Sequence, residues 1–269
     1  MRTDIFDSLT MLNIFRIIHP LVRCLDTPDL RMPAMDTLTA LVYQLGKKYK
    51  IFIPMVDKVI LKQKISHQGY ELLRDRIMQS QGDSDLDDGL MRFPRRPGSH
   101  HDGLRGLEPP EPQLSADGTQ TVRKLPVSTD DLRKAWAVSR RVSKDDWLEW
   151  YNGLCREFLK ASPSPALRAC WTVAQRYAQL AKDLFNASFV SCWSELDANQ
   201  QDELMASLEK ALTEPDLPEI SQTILNLAEF MEHSDKGSLP LSPELLGEQA
   251  MKCRAYAKAL HYKEDEFHK

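Results

Sequence analysis

Residues 143–158 read SKDDWLEWYNGLCREF, and this stretch decides the fold class. Ser143 and Asp146, three residues apart, have the spacing of a capping box at the start of a helix. The large apolar side chains that follow recur at i, i+3, i+4, i+7 and i+11, which places them on one face of an α-helix. They are Trp147, Trp150, Tyr151, Leu154 and Phe158.

Further helical patterns occupy the rest of residues 124–269. Ser128 and Asp131 repeat the capping-box spacing, and Pro163 and Pro165 break the chain. Apolar stripes at helical spacing predict buried faces at Leu132, Ala135, Trp136 and Ser139; at Leu167, Cys170, Trp171 and Ala174; at Leu180, Leu184, Ala187 and Trp193; at Leu204, Leu208 and Leu212; and at Ile220, Ile224, Leu227, Ala228 and Met231.

The last predicted helix begins at Ser242, Pro243 and Glu244, which supply a cap, a first-turn proline and an early acid. Its pattern continues through Ala250, Cys253, Ala257 and Leu260, with Tyr256 and Tyr262 beside them. Short loops between such helices favour antiparallel neighbours, and small residues along a stripe allow close approach. Residues 124–269 are therefore predicted to form hairpins of the TPR type.

Residues 1–79 predict a second set of short helices. A helix opens at Asp29 and carries Leu30, Ala34, Leu38, Leu41 and Leu45, and Gly46 can end it. The next helix starts at Ile51 with Pro54 in its first turn, and a third covers 66–79 with Tyr70, Leu73 and Ile77 aligned. Apolar stripes that no single helix covers are typical of stacked helical pairs, and the first of these helices resembles half of a HEAT repeat.

The two sets are separated by residues 80–123, which are rich in Gly and Pro and poor in apolar side chains. Such a segment cannot bury enough surface to offset its ordering entropy, so it is predicted to be a disordered linker. Its acidic start (Asp83, Asp85, Asp87 and Asp88), its basic patch (Arg92, Arg95 and Arg96) and His100–His101 are interpreted as solvated loop residues.

The whole chain is thus predicted to be all-α, an α-solenoid of antiparallel helix pairs. The net charge is -4 and the pI about 6.0, which disfavours a nucleic-acid binder with its usual basic stripe. The five cysteines are odd in number and lack a CxxC pair, which fits neither a disulfide framework nor a zinc module. The apolar N-terminal stretch is interrupted by Arg16, His19, Pro20 and Arg23, so no transmembrane segment is predicted.

No catalytic, cofactor-binding or metal-binding residue is predicted. Motifs for a nucleophile elbow, a zinc protease, a phosphate loop or a kinase catalytic loop are absent from the sequence. Asp145 and Asp146 are interpreted as helix N-terminal charges, and the Trp-adjacent Cys170 and Cys192 as core residues. A possible metal cluster is interpreted instead as a solvated helix end; it consists of Glu229, Glu232, His233 and Asp235.

Two Ser-Pro pairs, Ser162–Pro163 and Ser164–Pro165, leave two interpretations open. They match the pattern of proline-directed phosphorylation, and a phosphate at the start of the following helix would be favourable. They also match an ordinary loop with proline at the first helical position.

Several strings resemble one family in its own order: the TOR-type Ser/Thr protein kinases, which are PI3K-related kinases. QLGKKYKIFIPMVDKV at 44–59 resembles the last HEAT repeats, and RRVSKDDWLEW at 140–150 resembles the start of the FAT domain. Further FAT-like strings are DLFNASFVSCWSEL (183–196), QQDEL (200–204), LNLAEFMEHSDKG (225–237) and KCRAYAKALHYKE (252–264). The resemblance covers roughly 19–79 and 124–269, and 80–123 shows none.

This resemblance implies terminal HEAT repeats at 1–79, a linker at 80–123 and the N-terminal part of a FAT domain at 124–269. It implies a non-catalytic scaffold segment that supports complex assembly and restrains a kinase domain, with ATP and Mg needed only by that missing domain. It also implies several partners: the rest of a TOR chain, Raptor-type or Rictor-type subunits, a Rheb-type small GTPase and a second copy in a homodimer. The implied location is cytoplasmic, with peripheral association to lysosomal or other endomembranes.

Kinase and rapamycin-binding segments do not occur in the sequence, and Lys269 falls within a helical pattern. The chain is therefore expected to be a fragment or a truncated gene model. The alternatives are a stand-alone helical-repeat adaptor, a truncated TOR paralogue, or an enzyme that uses a Cys or a His.

Overall fold

The computed structural model describes residues 15–79, 124–138 and 143–267, and all regular secondary structure in these ranges is helical. The first part comprises α1 (15–24), α2 (Pro28–Leu45), a 3₁₀ helix (Gly46–Phe52), α3 (Ile53–Gln63) and α4 (Gln68–Gln79). The predicted all-α fold is confirmed. The predicted linker at 80–123, with its charged residues and His100–His101, lies outside the described residues, as does Ser139.

The second part begins with the pair α5 (Thr129–Trp136) and α6 (Lys144–Ala161). Four short helices follow: α7 (Pro165–Ala169), α8 (Trp171–Ala174), α9 (Ala178–Asp183) and α10 (Phe185–Trp193). Longer helices then stack in sequence as α11 (Ala198–Thr213), α12 (Pro218–Glu232), α13 (Pro243–Lys252) and α14 (Tyr256–Phe267). Consecutive members pack against each other, which gives the predicted array of helix pairs.

The face predicted from residues 143–158 is buried as expected. Trp147, Trp150, Tyr151, Leu154 and Phe158 are at most 4% exposed. The ring of Phe158 stacks on Phe189 with centroids 5.2 Å apart and meets Phe185 edge-on at 5.9 Å. These aromatic contacts fasten α6 to α10.

The 3₁₀ helix was not predicted, but the spacing of its buried side chains explains why it forms. Side chains three residues apart eclipse each other in a 3₁₀ helix. Tyr49 and Phe52 therefore share one side and are 0% and 1% exposed. The Tyr49 ring meets Tyr70 of α4 edge-on, with centroids 6.3 Å apart. The turn between α2 and α3 thus belongs to the core.

Helix α4 starts at a histidine cap. The backbone N–H of Tyr70 donates to Nδ1 of His67 at 3.1 Å. The other ring nitrogen, Nε2, lies 3.0 Å from Oδ1 of Asp36 on α2. Because Nδ1 accepts, Nε2 carries the proton and donates to the carboxylate. His67 therefore joins the start of α4 to the side of α2.

The predicted caps had different outcomes. Ser143 and Asp146 form the complete capping box. The box predicted at Ser128 is wrong, because its hydroxyl donates to the Asp131 carboxylate at 2.8 Å instead of accepting from the backbone. An unpredicted box forms at the start of α11, where Asp197 and Gln200 exchange hydrogen bonds. The cap at Ser242 accepts from Leu245 N at 3.5 Å.

The predicted final helix through Leu260 is wrong, because the chain turns after α13. Arg254 adopts φ 59°, and Ala255 N donates to Ala250 O at 2.8 Å across it. This is the left-handed C-terminal turn that glycine usually supplies. Helix α14 then returns along α13, and a Cβ on Gly247 would lie 3.6 Å from Tyr262. The turn leaves Tyr256 and Leu260 each 62% exposed.

We expect Arg254→Gly to stabilise the chain by about 1 kcal/mol, because glycine adopts a left-handed backbone without the Cβ clash. Urea unfolding followed by circular dichroism measures this shift. Gly237, at φ 79°, is the matched control, since Gly237→Ala should destabilise for the same reason. Equal or lower stability of Arg254→Gly would contradict this account of the turn.

Candidate functional site

The two predicted arms meet at an interface in which α2 packs against α7 and α8. The hydroxyl of Thr37 on α2 donates to the carbonyl of Pro33 at 2.9 Å and lies 3.4 Å from the carbonyl of Ala169 on α7. Pro33 lies inside α2. Ala34 and Thr37 are 0% and 4% exposed. We call this contact the junction.

Helix α1 extends the junction towards the later helices. Arg16 lies over the ring of Phe230 on α12, 4.3 Å from its centroid. Further along α1, Nη2 of Arg23 lies 3.1 Å from Oδ2 of Asp183 on α9. Between them Ile18 and Leu21 are fully buried. Helices α1 and α2 therefore dock along the second part through both polar and apolar contacts.

Arg168 of α7 fastens the extended segment 124–128 to this interface. Its guanidinium donates to three carbonyls: Ser162 O at 2.9 Å, Ala161 O at 3.0 Å and Pro126 O at 2.8 Å. Leu125 N also donates to Pro163 O at 2.9 Å. Burial lowers the pKa of Arg168 from its usual value. Arg168 thus satisfies carbonyls at the end of α6 while it holds the chain that re-enters after residue 123.

The Ser-Pro pairs lie within this fastening. Ser162 is 0% exposed, and its hydroxyl is 2.8 Å from that of Ser191 while it accepts from Ser164 N at 3.1 Å. Ser164 is half-buried at the start of α7. Ser162 is therefore a core hydroxyl in the folded chain.

The cysteines occupy apolar surroundings. Cys24, Cys155, Cys170 and Cys192 are at most 2% exposed. Burial raises the pKa of Cys24 to about 11 and those of Cys155 and Cys192 to about 12. It raises the pKa of Cys170 further and also that of the partly exposed Cys253. A raised pKa leaves little thiolate at neutral pH, which is the reverse of what a catalytic cysteine needs.

The carboxylates singled out by the sequence have structural partners. Glu229 pairs with Lys258 of α14 at 2.7 Å, a bond that lowers the Glu229 pKa. Glu232 pairs with His261 at 3.0 Å, and His233 Nδ1 lies 2.8 Å from the Glu229 carbonyl. The two ion pairs join α12 to α14, whereas the His233 contact lies within the C-terminal turn of α12. Asp235 pairs with Lys236 instead. No group of three or more metal ligands occurs in 15–79, 124–138 and 143–267.

Asp145 and Asp146 do not act together. Asp146 completes the capping box, and Asp145 is an exposed acid in the first turn of α6. Within the parts of the chain that the structure describes, no helix is both long and apolar enough to cross a membrane.

Comparison with known proteins decides the relationship. No protein-family model matches the chain. The Ser/Thr-protein kinase mTor of Drosophila melanogaster is 51% identical over 255 residues, covering 94% of this chain. The kinase tor1 of Schizosaccharomyces pombe is 45% identical over the same length, and TOR of Arabidopsis thaliana is 39% identical over 260 residues.

The chain belongs to the TOR family. It spans about 10% of the length of each of these relatives. The matched 255 residues are too many to fit within 19–79 and 124–269, so the match extends into residues outside these two ranges. The sequence carries no local signal for Arg168 or for the junction, because no short-range pattern marks a guanidinium that binds carbonyls of other segments.

We expect Arg168→Ala to destabilise this TOR segment by about 2–4 kcal/mol, since three carbonyls lose a charged donor. Arg168→Lys should recover only part of the loss, because an ammonium cannot span the same fork. Denaturant unfolding measures both. Arg176→Ala, on an exposed arginine of the α8–α9 turn, is the control and should change stability by less than about 0.5 kcal/mol. An Arg168→Ala effect equal to the control would contradict the fastening.

Thiol labelling should separate the cysteines by exposure. With iodoacetamide at neutral pH, we expect Cys253 to react first and more slowly than free cysteine, and the other four to react only after unfolding. Mass spectrometry of tryptic peptides follows each site, and labelling in denaturant is the control. Fast labelling of Cys170 or Cys192 in the folded chain would instead support an enzyme with a reactive thiol.

Proposed function

We propose that the chain is a non-catalytic scaffold segment of a TOR-type Ser/Thr protein kinase. The observation that carries the proposal is the continuous buried core, which runs from α1 through the junction to α14. A continuous core without a catalytic site suits a segment whose task is to hold other parts of a protein in place. Residues 1–79 would be terminal HEAT repeats and 124–269 the N-terminal part of a FAT domain, joined by 80–123.

The junction gives this scaffold its mechanical role. Helices buried on two sides cannot shift independently, because close-packed interiors transmit displacement rather than absorb it. A push on the HEAT-type arm would therefore reach α7 and α8 through α2. In this role the segment supports complex assembly and restrains a kinase domain in the rest of the parent chain.

The implied ATP and Mg²⁺ would bind elsewhere in the parent. The described residues do not provide a fitting site for either group. The two acids that come closest to forming a metal site, Glu229 and Glu232, already form ion pairs with Lys258 and His261. No phosphate-binding Gly-rich turn occurs in the sequence. No catalytic step is assigned to this chain.

The family suggests the setting. We infer a TOR complex with Raptor-type or Rictor-type subunits and a Rheb-type small GTPase, a homodimer of the full-length chain, and a cytoplasmic location with peripheral association to endomembranes. The exposed apolar side chains on α14 suit further protein contacts and disfavour a stand-alone adaptor, whose outer helices should be polar. They are Tyr256, Leu260 and Phe267, the last 87% exposed.

A chimera tests the scaffold role. We expect full-length Drosophila mTor to keep its kinase activity when this chain replaces the matching segment, because the two are 51% identical. A second chimera carrying Ala34→Trp, which overfills the junction, should assemble poorly or lose activity several-fold. Arg176→Ala in the same chimera is the control.

The isolated chain should transfer no phosphate from ATP in the same assay. Phosphotransfer by the isolated chain, or full activity of the Ala34→Trp chimera with its junction verified as disturbed, would contradict the proposal.

A further inference from the structure

One strongly charged surface has no part in the scaffold described above. Residues 46–64 contain six lysines, a single acid and no arginine, although the chain as a whole carries a net charge of -4. Among the described residues, five of the six make no ion pair: Lys47, Lys50, Lys58, Lys62 and Lys64. We call these five the lysine face. Average composition concealed this local basic stripe.

Helical geometry places much of this charge on one outer side. On α3, Pro54, Lys58, Leu61 and Lys62 follow at i, i+4, i+7 and i+8, opposite the buried Val56 and Ile60. In the 3₁₀ helix just before it, Lys47 and Lys50 eclipse each other on a side away from the buried pair. All of the lysine face is exposed except Lys50, which is half-buried.

The nearby acid leaves this charge uncompensated. Asp57 turns to α4, where its Oδ1 lies 3.4 Å from Nη1 of Arg74. Exposed aliphatic side chains lie among the lysines: Ile51 is 54% exposed and Leu61 78% exposed. Unpaired positive charge and exposed apolar side chains thus occur together in residues 46–64.

We propose that the lysine face binds the surface of a membrane containing anionic lipids, with Ile51 and Leu61 entering the headgroup layer. Flexible lysine ammonium groups suit a dispersed array of headgroup phosphates, whereas bidentate recognition of a carboxylate or a base edge uses arginine. The aliphatic side chains gain by leaving water, as on other helices that lie at an interface. The inference deepens the proposed peripheral membrane association and does not depend on the scaffold role.

Sedimentation of the full chain with vesicles tests the inference. We expect binding to vesicles of phosphatidylcholine mixed with phosphatidylserine, little binding to phosphatidylcholine alone, and release as salt rises. The variant Lys47→Gln, Lys58→Gln, Lys62→Gln should lower partitioning by on the order of tenfold or more. Ile51→Ser with Leu61→Ser should also weaken binding while leaving its salt dependence.

The matched control removes three positive charges elsewhere, with Lys134→Gln, Lys144→Gln and Lys252→Gln. It should bind like the parent, and circular dichroism melts should show all variants folded. Equal loss in the control, or no preference for anionic vesicles, overturns the proposal. Binding to polyglutamate or duplex DNA without vesicle binding also overturns it, and assigns the face to an acidic protein or to nucleic acid. The kinase chimera reads phosphotransfer, so its failure is distinguishable from failure here.

Discussion

Helix α2 has to be covered on two opposite sides, and the arrangement of the other helices follows from that constraint. Thr37 faces Ala169 of α7, while Asp36 contacts His67 just before α4. A Cβ added at Gly69 of α4 would lie 3.9 Å from Thr39. At about 100° per residue, Thr39 lies nearly opposite Thr37 on the helix, and Asp36 lies on the flank between them. An amphipathic surface helix needs one partner, but α2 needs two, so neither arm forms its complete core without the other.

Polar contacts set the geometry that apolar burial leaves open. Apolar packing is roughly proportional to area and has little direction, so it does not by itself fix how the arms are oriented. The Arg168 guanidinium binds three carbonyls at once, and Arg23 with Asp183 ties α1 to α9. The charged pairs that remain exposed, such as Arg23–Asp183, contribute little to stability but select one docking angle.

Local pattern predicted the helices that carry one strong stripe, and the structure shows why it failed elsewhere. The spacing of the stripe from Trp147 to Phe158 is enough to identify a helix, so α6 and its capping box were predicted correctly. The stretch from Leu167 to Trp193 breaks into four helices that pack against α6 and against α2, which lies far away in sequence, so local spacing alone does not define its turns. Arg254 hid the turn before α14, since an arginine gives no signal for a left-handed backbone.

The functional features divide in the same way, into those that local sequence predicts and those that depend on contacts between distant residues. The sequence itself shows that catalytic motifs are absent. The junction, by contrast, depends on pairs such as Thr37 and Ala169, which lie too far apart in the sequence for a spacing pattern to connect them. The lysine face is visible in the local sequence, but the net charge of the whole chain conceals it, because a value of -4 says nothing about where the charges lie. Once α3 is known to bury Val56 and Ile60, its lysines and Leu61 have only the solvent side left to occupy. Charge asymmetry on a scaffold is thus a consequence of helix period and burial, and it is to be read helix by helix rather than over the whole chain.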